Sequence, residues 1–211
     1  MEYQSEQKIQ KSSEVENADH STLNQELISG LLKIYTSALD NKDFLQAETY
    51  LNEILNVSIH LSFRISLIYV KMSTYKFNQA IVLIENELED LDLNCNIRHV
   101  LQILKMECLI NLEEYQIVID EAVKIDDFTF DEYIYSFVGL AQIKLDQLNL
   151  AEESFQQALN HSQSNEYVWL GVGIVHFIKG DLELGRGCFA KALDSSPSYE
   201  RLQNFLSHYV A

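Results

Sequence analysis

The chain has 211 residues, with 15 Lys and Arg against 32 Asp and Glu, a formal charge of −17. That acid excess excludes a nucleic-acid binder or a ligand of anionic membrane surfaces, both of which need neutralising cations. One Pro and seven Gly in 211 residues leave too few turn-formers for an all-β fold and suit helices.

Residues 1–21 are rich in acids, Ser, Gln and Asn. Such a stretch buries too little apolar surface to offset its ordering entropy, so a disordered tail is expected there. It has no apolar core or basic leader, so it is not read as a signal peptide. Thr22 and Gln25 have capping-box spacing and predict a helix start. Five segments then superimpose: 35–55, 68–88, 106–125, 139–159 and 173–193. In each, an apolar helix ends in a short polar turn. An aromatic residue or Leu follows: Phe44, Phe77, Tyr115, Leu148 and Leu182. Three residues on stands a small or modest one: Ala47, Ala80, Val118, Ala151 and Gly185. Four further on come Leu51, Ile84, Ala122, Phe155 and Phe189. The small residues are spaced by 33, 38, 33 and 34. The extra residues of the second interval map to Glu85–His99 and predict a lengthened helix end plus loop. Val168–Ile178 is apolar but only eleven residues long, too short for a membrane span of about 20 residues, so it predicts a buried helix. After Pro197, the residues Leu202, Phe205, Leu206 and Tyr209 form one apolar stripe, which predicts a final amphipathic helix at about 198–210.

A period near 34 with this anatomy resembles the tetratricopeptide repeat (TPR). Trp169, Gly173, Gly180, Asp181, Phe189, Ala192 and Pro197 stand where that family places its W, G, turn, F, A and P. The fourth unit keeps Tyr135, Gly139, Ala151, Phe155 and Ala158, whereas Tyr35, Ile68 and Met106 replace the helix glycine in the first three. The expectation is therefore an all-α chain: a right-handed α-solenoid of about five helical hairpins over residues 22–211, closed by a C-terminal capping helix. About eleven helices and no sheet are expected. A lone hairpin cannot bury its apolar faces, so neighbours must stack.

No catalytic constellation is present. The sequence has no H-E-x-x-H, G-x-S-x-G or P-loop, and its six histidines have no metal-ligand spacing with one another or with the cysteines. No enzyme activity, metal or cofactor is expected. His176 reads as a half-buried helix residue. Gly171 and Gly173 read as close-packing residues and not as a dinucleotide loop, because no strand precedes them. The pairs Glu113–Glu114 and Glu152–Glu153 read as helix-dipole partners. The odd count of Cys95, Cys108 and Cys188, with no C-x-x-C, suits free thiols in a reducing cytoplasm.

What remains is a binding surface. The resemblance implies that the first helix of each hairpin lines a concave groove. Carried over unit by unit, its open positions are Leu32, Thr36 and Leu39; Ile65, Tyr69 and Met72; Ile103, Glu107 and Ile110; Tyr133, Ser136, Leu140 and Ile143; and Tyr167, Leu170, Ile174 and Phe177. Large apolar patches are rarely left open, so this groove should hold a partner. The chaperone-carboxylate clamp of some TPR domains is absent, because Leu32, Thr36, Ile65, Tyr69 and Ile103 hold its positions. The expected function is a non-catalytic scaffold or adaptor that binds a peptide or helix of another protein. The acid excess favours a basic one. The alternative is a cytosolic chaperone resembling the acidic TPR chaperones of type III secretion. The groove could also be filled by a second copy of the chain or by its own C-terminal helix.

Overall fold

The computed structural model describes residues 24–125, 132–162 and 165–195. Every regular element among them is an α-helix. They are α1 (24–40), α2 (Phe44–Val57), α3 (Leu61–Ser73), α4 (Phe77–Leu88) and α5 (Cys95–Asn111). There follow α6 (Tyr115–Ala122), α7 (Glu132–Lys144), α8 (Leu148–His161), α9 (Glu166–Ile178) and α10 (Leu182–Ser195). In order they make five hairpins, one for each repeated segment. The expected tail at 1–21, the Thr22 cap and the capping helix at 198–210 lie outside the described residues. The chain divides into two compact units, Met1–Leu83 and Ile84–Ala211.

Each hairpin turns in the same way. Lys42, Tyr75, Glu113, Asp146 and Gly180 all have positive φ, between 56° and 88°. They follow one another at 33, 38, 33 and 34 residues, the same intervals as the small residues. In the first turn the Lys42 amide donates to the Leu39 carbonyl (2.9 Å) and the Asp43 amide to the Ala38 carbonyl (2.8 Å). The same two bonds recur from Tyr75 and Lys76, from Glu113 and Glu114, from Asp146 and Gln147, and from Gly180 and Asp181. This is the Schellman closure, which satisfies the orphan carbonyls at a helix end by placing one residue in the left-handed region. Only the fifth turn gives that position to glycine, which adopts it at no steric cost.

The small residues sit where the two helices of a hairpin meet. Ala47, Ala80, Val118, Ala151 and Gly185 are all buried. In the last hairpin a Cβ on Gly185 would lie 3.1 Å from the Gly173 carbonyl oxygen, so the two backbones nearly touch. In Met1–Leu83 the core is Ala38, Ala47, Leu51, Ile54, Leu67 and Val70, flanked by Tyr35, Phe44 and Phe63. In Ile84–Ala211 the largest wholly buried side chains include Phe137 and Phe155. Phe155 of α8 faces Gly139 of α7 and Gly171 of α9. It therefore belongs to its own hairpin and to the next, as expected of the residue that fills the gap between repeats.

The longer second interval becomes a loop between α4 and α5 and an α5 of 17 residues. The Arg98 guanidinium donates to the carbonyls of Leu88 (2.9 Å) and Asp90 (2.5 Å) and so closes the end of α4 from the first turns of α5. Deeper in α5, the Lys105 ammonium reaches Glu85 of α4 and Glu121 of α6, each at 2.9 Å.

Candidate protein-binding surface

The first helix of a hairpin is held at its start by a side-chain cap. Asn94 caps α5 by accepting from the Asn96 amide (2.9 Å). Asn165 caps α9 by accepting from the amides of Tyr167 and Val168. In α3 the His60 ring nitrogen accepts from the Ser62 amide (3.3 Å). Each cap satisfies donors that a helix cannot pair internally.

The expectation of seventeen open groove positions needs correcting on these helices. Met72, Ile110, Ser136, Leu140, Ile143, Leu170 and Ile174 are buried, Leu140 and Leu170 completely. The cause is packing between successive first helices. α7 touches α5, α6, α8 and α9, so it buries residues on several faces and not along one stripe. The Ser136 hydroxyl is satisfied within α7 by donating to the Glu132 carbonyl. Ten positions keep some exposure. In Met1–Leu83 they are Leu32, Thr36, Leu39, Ile65 and Tyr69. In Ile84–Ala211 they are Ile103, Glu107, Tyr133, Tyr167 and Phe177. Tyr69 is 45% exposed and Phe177 48%. On α1, Leu32 and Thr36 share an open recess of ≈ 400 Å³ with Gln25, Ile28, Ser29 and Lys33.

The ionisable groups tie helices together. Glu48 of α2 accepts from Lys71 (2.6 Å) and Lys76 (2.9 Å). Its hydrogen bonds to Lys71 and Lys76 hold its carboxyl below the ordinary range, against the opposing effect of burial. Burial works to lower the Lys105 pKa, but its bonds to Glu121 and Glu85 outweigh that and raise it. Burial likewise works to raise Glu121, and its bonds to Lys105 and Lys124 bring it down. Cys188 is raised by burial, so its thiolate is disfavoured. His176 stands 3.7 Å from Asp181, across the last turn. Among the described residues, no group of three or more His, Cys, Asp or Glu is placed to hold a metal ion. None of their helices is long and apolar enough to cross a membrane.

No protein-family model matches the sequence, and no curated protein matches it either. Solved structures do resemble the fold. MamA residues 41-end from Desulfovibrio magneticus RS-1 is 16% identical with a TM-score of 0.60, over 82% of this chain and 97% of that one. TTC0263, a thermophilic TPR protein of Thermus thermophilus, is 14% identical with a TM-score of 0.59, over 87% and 98%. Pseudomonas aeruginosa pilF is 13% identical with a TM-score of 0.60, over 84% and 80%. The fold is thus an all-helical repeat of the α-solenoid class. More particularly, it is the fold of the tetratricopeptide-repeat proteins.

Proposed function

We propose that this protein is a non-catalytic interaction scaffold, an adaptor that binds a segment of another protein along its first helices. The supporting observation is that aromatic side chains, which make rigid anchors, stand half open there, above all Tyr69 and Phe177. The recess at Leu32 and Thr36 adds an apolar depression on α1. Buried neighbours such as Leu140 and Leu170 give these anchors a firm support and are not themselves contacts. A charge of −17 favours a basic partner and speeds its encounter at low salt. Cys95, Cys108 and Cys188 form no disulfide, which suits a cytoplasmic setting.

The test is capture of a partner by the intact protein and by a variant with Tyr69, Tyr133, Tyr167 and Phe177 changed to Ser, both checked by circular dichroism. A specific protein held at fixed stoichiometry by the parent and lost by the variant supports the adaptor. The same proteins on both would refute the first-helix site. A client that is released on delivery would replace the adaptor with a chaperone.

A further inference from the structure

The second helices carry a feature that the groove does not use. Ile117 of α6, Leu150 of α8 and Leu184 of α10 stand at one repeat position, immediately before the buried Val118, Ala151 and Gly185. All three are open to solvent, at 42%, 47% and 58% exposure. Single exposed aliphatics are ordinary, but here the same register is open and apolar in three consecutive hairpins. Hairpins one and two have Gln46 and Gln79 at that position. The row is therefore confined to Ile84–Ala211.

Its surroundings are charged with one sign. On a helix, the residues three and four away share a face. For the three aliphatics these are twelve positions. Seven are carboxylates (Glu113, Glu114, Asp120, Glu121, Asp146, Glu153 and Asp181) and none is a cation. Glu121 is engaged by Lys105 and Lys124. Glu113, Glu114, Asp146 and Glu153 have no ion pair with any described residue.

We infer that this row is a second docking surface, and that it takes a basic amphipathic helix of another protein. Apolar side chains of the helix would seat on Ile117, Leu150 and Leu184, and Lys or Arg between them would meet the flanking carboxylates. Stacked helices are spaced on the order of 10 Å apart. An α-helix rises about 1.5 Å per residue, so anchors about seven residues apart match successive hairpins. A second copy of this chain is the wrong occupant, since two surfaces of the same negative sign repel.

The test uses a labelled 18-residue peptide with Leu at heptad spacing and Lys elsewhere on the same face, followed by fluorescence anisotropy. Binding to the full chain is expected to weaken at least tenfold in the triple variant Ile117→Ser, Leu150→Ser, Leu184→Ser. These sites are exposed, so its thermal melt should match the parent. The charge variant Glu114→Lys, Asp146→Lys, Glu153→Lys should lose the peptide as well, and added salt should weaken binding to the parent. The first-helix variant with Tyr69, Tyr133, Tyr167 and Phe177 changed to Ser should bind as the parent does. That separates failure here from failure of the first-helix site. Binding to the triple variant within twofold of the parent overturns the inference. So does equal binding of a peptide with Glu in place of Lys. Self-association of the chain that depends on Ile117, Leu150 and Leu184 overturns it in favour of a second copy.

Discussion

The fourth and fifth hairpins pack differently from the second and third, at the same two positions. In the fourth, Gly139 on the first helix faces Phe155 on the second, and in the fifth Gly173 faces Phe189. In the second hairpin the equivalent residues are Ile68 and Ile84, both wholly buried. In the third they are Met106 and Ala122, also buried. A large residue stands opposite a small one, or two medium ones stand opposite each other. What the repeat keeps roughly constant is the volume shared between its helices, because close-packed interiors penalise both voids and excess. The hairpins that look degenerate as sequence satisfy the same packing by another division of it.

Adding volume where the division is most unequal should have the largest effect. A Cβ on Gly171 would lie 2.0 Å from Cζ of Phe155, a ring with almost no exposure. Gly171→Ala should destabilise the chain by about 2 kcal/mol, although Ala improves helix propensity by about 1 kcal/mol. Phe155→Leu in the same molecule should recover much of that loss, and a chemical melt of the double variant reads the coupling. Gly187→Ala in α10 has nothing within 4 Å and should stabilise by up to about 1 kcal/mol. Gly173→Leu presses on Phe189 and the Gly185 backbone and should cost about 1–3 kcal/mol. If it costs nothing, the close approach of α9 and α10 is wrong.

The first unit replaces ring-on-backbone contact with charged ties, so its weak point is acid. Glu48→Gln should cost about 1–2 kcal/mol at neutral pH, because it loosens bonds to Lys71 and Lys76. The folded pKa of Glu48 is depressed. Its contribution is therefore complete above the ordinary Glu value of about 4.3 and disappears as pH falls through the lower native value. Urea melts of parent and variant should differ at pH 7 and converge in strong acid. A gap that persists unchanged in acid would mean that Glu48 acts through packing alone. The smallest expected effect is a gain. Glu113 holds φ 63° in its turn, and Glu113→Gly should stabilise by about 0.5–1 kcal/mol by relieving left-handed strain.

The hairpins were legible because their determinants are local and periodic. The intervals between Ala47, Ala80, Val118, Ala151 and Gly185 mark every turn to within a few residues. The left-handed turn residue was not legible, since Lys42, Tyr75 and Glu113 are not residue types that announce positive φ. The open surface was legible only in part. Leu140 and Leu170 occupy positions with the same spacing as Tyr133 and Phe177, yet they are buried by a neighbouring first helix. Helical spacing states which face a residue shares. It does not state how far the next helix extends over that face. The row of Ile117, Leu150 and Leu184 was visible in the sequence as aliphatics one place before the small residue, but only exposure separates them from core.

One ring has a consequence for how the molecule comes apart. Phe155 is clasped between Gly139 and Gly171, so the last hairpin cannot detach without leaving that aromatic face bare to water. In a linear array, the free energy held at such a junction couples the opening of one element to its neighbour. Amide hydrogens in α7, α8 and α9 should then exchange with one shared opening free energy and not fray stepwise from the C-terminal side. A Phe155→Ala chain should let α9 and α10 exchange first, turning one cooperative block into two.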